Sequence, residues 1–376
     1  MASVSKRTRN GQVSWVARWR APDGTQAKRV FRRKVDAERF STGVEHSQLT
    51  GSYVDPTAGR TTVRDWSALW TAQRVHLKPK TVASCESLLR SQVLPRWDSV
   101  PLSNVTHAAV VAWVSEMRAG GLSASRCRQS YHLLTAMLDD AVKDGKLARN
   151  QAAGINLPRL PKTDRRYLTH DQVDDLADAC ATSRTVVLLL AYTGLRWGEA
   201  TALRVRHVDL LRRRVDVAEA VVEVNGRMIF GTPESHQTRA VAVPRFRCDN
   251  LAAQMAGKTP DDLIFTSTVG TVLRTQSWRR RCFDPAVRSV GLDGLVPHEL
   301  RHTAASLAIA SGANVKAVQA MLCHASATLT LDRYGHLFPD DLDAVADRID
   351  AARSARVPPV CPESTVTPLL DRRSRP

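Results

Sequence analysis

The chain has 376 residues, 43% of them hydrophobic, with 54 Lys+Arg against 37 Asp+Glu and a formal net charge of +17. At roughly 100–200 residues per domain there is room for two or three domains with real cores, and so large a cationic excess points to a polyanion, nucleic acid first, because a basic face gains affinity by releasing counterions condensed on phosphates. No apolar run approaches the roughly 20 residues of a membrane span, no apolar segment follows the basic start Met1–Asn10, and seven scattered cysteines (85, 127, 180, 248, 282, 323, 361) without a C-x-x-C pair argue against a disulfide framework or zinc site.

An Arg-rich composition inherited from GC-rich coding is the bland source of the same charge. The rest of the profile fits a soluble protein of a reducing cytoplasm, with no membrane partner, no metal and no cofactor. In chain order, Val13, Trp15, Ala17 and Trp19 alternate with polar or basic neighbours, Pro22-Asp23-Gly24 supplies a turn, and Ala27–Phe31 returns as a second strand. Lys34 to Leu49 has helical spacing (Val35, Ala37, Phe40, Val44) and ends near Gly51. Asp55 to Thr62 reads as a linker.

Residues 63–153 read as all-helical: Trp66, Leu69 and Trp70 share a face, Val82, Leu88 and Leu89 belong to the next helix, then Val110, Val111, Trp113, Val114 and Met117, then Tyr131, Leu134, Met137, Leu138 and Val142. Such stripes are ordinary core. Asn156 to Asp164 is a second linker. Thr169 with Gln172 reads as a capping box opening a helix through Ala179. Val186–Ala191 reads as a buried helix, followed by three strands: Arg214–Val224, Arg227–Phe230 across the Asn225-Gly226 hairpin signal, and Ala240–Val243. Helices run from Ser277 to Ala352, including an apolar stripe of Leu342, Val345, Ala346 and Ile349, and the Pro-, Ser- and Arg-rich tail 354–376 reads as disordered.

Four segments carry chemistry. In Tyr192-Thr193-Gly194-Leu195-Arg196-Trp197-Gly198-Glu199-Ala200, a Gly-turned helix start frees the Arg196 guanidinium, with Glu199 placed to pair with a basic group. In Pro297-His298-Glu299-Leu300-Arg301-His302, the two histidines and Arg301 fall within about a third of a helix circumference, an anion-binding stripe, while Leu300, Ala304 and Leu307 face a core. Leu322-Cys323-His324 comes next, then Asp332-Arg333-Tyr334-Gly335-His336; by itself Tyr334 is one of five tyrosines, and the default tyrosine is an amphipathic core residue.

In order, spacing and local sequence these segments resemble the tyrosine recombinase (phage integrase) family, with its G-L-R-x-x-E, H-x-L-R-H, L-G-H and nucleophilic Y, from Leu168 to Asp350. The resemblance implies an α+β catalytic domain (165–352), preceded by an all-α core-DNA-binding domain (63–153) and a small β-ribbon/helix N-terminal domain (1–55). For that last domain it implies arm-site binding through Arg18, Arg20, Lys28 and Arg29. The implied enzyme is a site-specific recombinase that cuts and rejoins double-stranded DNA attachment sites through a 3′-phosphotyrosine at Tyr334. It would integrate or excise a phage-like element as a tetramer on DNA in a bacterial host cytoplasm, at the nucleoid, with a host DNA-bending protein and an excision factor as accessory partners. Arg196 and Arg301 would clamp the non-bridging oxygens, His298 would be the base, and His324 would stabilise the phosphate. His302, Glu199 and His336 are supporting candidates. The phosphotyrosine conserves bond energy, so neither ATP nor metal is required.

One departure stands out. The family places a Lys on the hairpin five residues before an Arg; in Thr232-Pro233-Glu234-Ser235-His236-Gln237-Thr238-Arg239, Glu234 takes that place. A carboxylate would repel the phosphate and, ionised, could not protonate the leaving group. Lys258 or His236 would then substitute, Glu234 would pair with a local Arg such as Arg239, or the chain is a weakened, DNA-holding relative. Cys323 for the usual Gly keeps a small residue small. A type IB topoisomerase shares the Arg-His-Tyr chemistry but not the phage-type motifs, serine-recombinase motifs are lacking, and a metal-dependent transposase would need a carboxylate triad.

Overall fold

The computed structural model describes residues 2–9, 12–21, 24–50, 53, 55, 58–161, 165–233, 238–338 and 342–354. It divides into two compact units, Met1–Asp164 with Val222–Ile229, and Arg165–Val221 with Phe230 onward. Among the described residues no helix is long and apolar enough to cross a membrane.

The first unit begins with an antiparallel sheet, β1 (Ser3–Arg9), β2 (Gln12–Arg20) and β3 (Gln26–Phe31), followed by α1 (Lys34–Leu49). The alternation predicts two strands here; β1 is a third, paired from Ser3 opposite Arg18 to Arg9 opposite Gln12. It carries a single aliphatic residue, Val4, so no apolar alternation announces it. The available signal was Asn10-Gly11, a hairpin dipeptide whose own placement lies outside the described residues. Ala17 and Trp19 are buried as the alternation predicts, and Trp19 meets Phe40 of α1 edge-on at 5.1 Å.

Among the described residues, α2 (Val63–Ala72), α3 (Pro79–Leu88), α4 (Leu94–Trp97), α5 (His107–Ala119) and α6 (Ala124–Lys143) follow in this unit. Thr62, Thr106 and Ser123 cap α2, α5 and α6 through side-chain oxygens that satisfy otherwise orphaned N–H groups. Trp66, Trp97, Leu134, Met137 and Leu138 fill the core, and the Trp66 indole donates to the Met137 carbonyl at 2.7 Å. Removing one Trp from water buries roughly 150–250 Å², worth about 4–6 kcal/mol. Leu69 and Val111, read as core, are 53% and 42% exposed: Val63, Trp66 and Trp70 define the buried line of α2, and Leu69 falls beside it.

The second unit opens with α7 (His170–Ala179), whose Thr169–Gln172 capping box forms as read, then α8 (Arg184–Thr193) and α9 (Trp197–Ala200). The expected strand Arg214–Val224 is two strands. After β4 (Val208–Asp209), β5 (Arg214–Val217) pairs with β4 and with β8 (Arg239–Ala242), whereas β6 (Ala220–Val224) pairs with β7 (Arg227–Gly231) in a hairpin whose tip, Val222–Ile229, is counted with the first unit. The chain bends at Ala218, whose N–H reaches back to the Asp216 carbonyl, so the apolar run leaves one sheet for another. Asn225 and Gly226 both take positive φ, +48° and +78°, as a tight hairpin turn requires.

Helices complete the unit: α10 (Cys248–Met255), α11 (Thr275–Trp278), α12 (Asp284–Ser289), α13 (Glu299–Ala310), α14 (Val315–Leu322), α15 (Ala327–Tyr334) and α16 (Leu342–Ser354). The tail beyond Ser354 lies outside the described residues, as do the side chains of Leu342 and Val345 in the apolar stripe expected here. A core built on α8 and lined by Val215, Val241, Ile264, Phe283 and Leu300 holds the strands and helices together. α13 packs on both α8 and α14, which brings the ends of three motif segments to one place.

Candidate active site and basic sheet face

The glycines of the first motif are there because nothing larger fits. Gly194 ends α8 in the left-handed conformation (φ +65°), and a Cβ on it would stand 2.7 Å from Leu322 Cδ2. A Cβ on Gly198 would meet the Val221 carbonyl oxygen at 2.4 Å. Between them Arg196 caps α9: its backbone N–H donates to Glu199 Oε2 at 2.9 Å and its Nη1 to Oε1 at 3.1 Å, with the side chain 26% exposed. Glu199, 1% exposed, also takes a bidentate pair from Arg239 of β8, at 3.0 and 2.6 Å. Burial alone would raise the Glu199 carboxyl; the hydrogen bonds and charge of Arg239, then Arg196, outweigh it and hold the group below its ordinary range.

Arg239, the local Arg expected to pair with Glu234, makes this bidentate pair with Glu199. Glu234 and His236 lie outside the described residues. Lys258, the other substitute considered, donates its ammonium to the Leu263 and Ile264 carbonyls at 3.1 and 2.6 Å and so anchors its own loop.

The second motif departs from the surface stripe read for it. His298 is exposed at the start of α13, but Arg301 and His302 are buried, at 4% and 9% exposure. The reason is that α13 is covered on both sides, by the Leu300 core and by α8 and α14. Arg301 donates Nη1 to the Gly194 carbonyl and Nη2 to the Leu322 carbonyl, so it ties together the C-terminal ends of α8 and α14, where unpaired carbonyls carry partial negative charge. Burial first, then Arg196, lowers its pKa to about 10.

His324 follows Cys323, which caps α14 in the left-handed conformation at φ +51°. Size is therefore not what the family glycine supplies at 323; freedom at positive φ is. His324 is buried, with Nδ1 3.0 Å from Thr330 Oγ1, and burial followed by Arg301 and Arg333 lowers its pKa to about 4. Tyr334, wholly buried at the end of α15, lies parallel to His324 with ring centroids 6.2 Å apart. Its hydroxyl meets His302 Nδ1 at 2.6 Å. Burial pushes that hydroxyl up, against the lowering influence of Arg301, Arg333 and Arg165. His336 turns elsewhere: its Nε2 meets the Tyr167 hydroxyl at 3.3 Å. Arg239, Thr330, Arg165 and Arg333 were not singled out as site residues; Arg333, beside Tyr334, was the one most readily found.

In the N-terminal sheet, Arg18 lies directly opposite Lys28, and strand alternation puts Arg20, Arg7 and Arg9 on the same exposed face. Arg29 does not join them. It pairs with Ala17 on the side facing α1, its guanidinium 5.4 Å and 5.1 Å from the Phe31 and Phe40 ring centres.

The family profile of the phage integrase family matches residues 166–340. A phiRv2 prophage integrase of Mycobacterium tuberculosis is 27% identical over 336 residues, covering 86% of this chain and 88% of the relative. Among solved structures, the Tn1549 transposon integrase bound to a circular intermediate DNA shares the fold with a TM-score of 0.67 at 18% identity, over 77% of this chain and 99% of that one. A lambda integrase tetramer bound to a Holliday junction gives 0.53 at 19% identity, over 89% and 95%. Residues 166–340 form a phage integrase family domain, the domain of tyrosine recombinases, which are enzymes of site-specific DNA recombination.

Proposed function

We propose that the protein integrates or excises a phage-like element by cutting and rejoining attachment-site DNA through a 3′-phosphotyrosine on Tyr334. The observation that carries this reading is the gathering of four separate stretches of sequence: Arg301 ties the ends of α8 and α14, His324 lies parallel to Tyr334 at the end of α15, and the charge of Arg196, at the start of α9, is felt by both Arg301 and His324. Two guanidiniums there clamp the non-bridging oxygens of a phosphodiester as charge builds on them, and His324 donates a further hydrogen bond. Their fixed field also lowers the cost of forming a phenolate beside them, which a tyrosine with an ordinary pKa of about 10 requires near neutral pH. The bond energy stays in the phosphotyrosine, so the released 5′-hydroxyl can rejoin without ATP.

Residues 63–153 hold the crossover core in this reading, 165–352 perform the chemistry, and 1–55 bind separate arm sites through the Arg18, Arg20 and Lys28 face. Four protomers act on two duplexes, as the lambda relative does on a Holliday junction. A host DNA-bending protein and an excision factor assist, in the bacterial cytoplasm at the nucleoid. The test is recombination in cells between plasmids carrying the element's two attachment sites. The unaltered chain should join them, and Tyr334→Phe should not, while still retarding the same DNA in a gel. Joining by the Phe variant would remove Tyr334 as nucleophile.

A further inference from the structure

The resemblance assigns the proton of the nucleophile to His298, but that residue stands exposed at the start of α13 and meets His302 edge-on, ring centroids 5.1 Å apart. The imidazole that reaches the reacting atom is His302, its Nδ1 2.6 Å from Tyr334 Oη, with both side chains buried. We propose that His302 accepts the Tyr334 proton during strand cleavage and returns it on rejoining; this rests on the recombinase reading above.

The step balances. Tyr334 Oη forms the bond to phosphorus, the bond from phosphorus to the 5′ oxygen breaks, the Oη proton passes to His302 Nδ1, and the 5′ oxygen takes a proton from water or a separate acid. On rejoining, the 5′-hydroxyl attacks and gives its proton back to water or to that separate acid, the tyrosyl ester bond breaks, and Nδ1 returns its proton to Oη. A proton acceptor must lie within hydrogen-bond reach of the atom it serves, about 2.6–3.2 Å, and His302 does. For Oη–H to donate to Nδ1, the single proton of the neutral ring must sit on Nε2.

The charge around the ring supports this and adds a condition. Burial first, then His298 and Arg301 of α13, Arg165 from the segment before α7, and Arg333 of α15, hold the His302 pKa down to about 4. The imidazole is therefore neutral and able to accept at pH 7. Arg301, Arg165 and Arg333 oppose an imidazolium until an anion enters among them, and the scissile phosphate is that anion. Without DNA, the buried tyrosine keeps its proton. Proton transfer is thus tied to occupancy of the site.

The test is single-turnover cleavage of a nicked attachment-site duplex by the full chain, with His302→Asn and His298→Asn compared across pH 6 to 9. Asn can still accept a hydrogen bond but cannot hold the proton. His302→Asn should lose about 10²–10⁴ in rate at pH 7 and recover roughly tenfold per pH unit as hydroxide takes over, with its DNA footprint unchanged. A duplex whose bridging 5′ oxygen is sulfur, a leaving group needing no acid, should not rescue it. The proposal is overturned if His302→Asn cleaves within about fivefold of the unaltered protein, if bridging sulfur restores it, or if the hydroxide-dependent profile belongs to His298→Asn instead. Should the Asn variant melt early, nitrogen-15 NMR of the unaltered protein decides: His302 should be neutral when free and doubly protonated in the covalent adduct, and a ring neutral in both states overturns the proposal. If the unaltered protein forms no adduct with any duplex, the recombinase reading itself fails, a result distinct from these.

Discussion

The arginines of the N-terminal sheet and those around Tyr334 are one residue type under opposite conditions. Arg18, Arg20 and Lys28 stand in solvent on an open face. Arg301 and Arg239 are 4% and 9% exposed, and each is held by acceptors inside the protein, two helix-end carbonyls for one and the buried Glu199 for the other. An exposed charge costs little to keep and acts by displacing counterions, so its contributions should be small, separable and sensitive to salt. A buried one is part of the packing. Removing it orphans its partners, so function and stability change together. Arg196, at 26% exposure, stands between the two.

The largest effects should separate the two site arginines. Arg301→Ala and Arg196→Ala should each slow cleavage by about 10²–10³, the loss of a transition-state clamp worth roughly 3–4 kcal/mol. Only Arg301→Ala should also destabilise the fold, by about 1–3 kcal/mol for each orphaned carbonyl, seen as an early thermal melt. Equal melting of both variants would show that burial does not distinguish them.

Acid should act on the second unit before it touches the sheet. His302 and His324, with pKa values lowered to about 4, bind protons more readily when unfolded. Their contribution is therefore full above the ordinary histidine value of about 6.5 and is lost as pH falls from there toward 4. Glu199, held below its ordinary range, adds a further loss as pH drops through its folded pKa. Melting followed from pH 7.5 to 4 should show the decline starting near 6.5, and His302→Asn should shrink it. A stability flat to pH 5 would contradict the assigned burial.

Smaller effects belong to the exposed charges and to one backbone position. Arg18→Ala and Lys28→Ala should each reduce the salt slope of arm-site binding by about 0.9, and Arg29→Ala, on the opposite side, by less. Cys323→Gly should stabilise the protein by up to about 1 kcal/mol by relieving the left-handed cap of α14, read as a small rise in melting temperature.

Much of this architecture is legible in the sequence. The α1 range Lys34–Leu49 and the α7 capping box follow from local rules, spacing and side-chain caps, that act within a few residues. The four motif segments could be named because each is local as well. What could not be read depends on neighbours remote in sequence. A helical wheel places His298, Arg301 and His302 on one stripe but does not reveal that α8 and α14 cover most of it. Nothing near Arg239 names Glu199, 40 residues earlier, as its partner. β1 lacks the apolar alternation that betrays a strand, and the left-handed backbone of Cys323 is set by the helix it ends.

The covalent bond between Tyr334 and DNA is the feature to test most directly. A nicked attachment-site duplex, incubated with the protein and run on a denaturing gel without metal or ATP, should yield a protein–DNA adduct. Proteolysis and mass spectrometry should place the nucleotide on the peptide containing Tyr334, joined through a 3′ phosphate, and Tyr334→Phe should give none. No adduct from the unaltered protein, or an adduct on any other residue, would contradict the assignment of Tyr334 at the centre of this site.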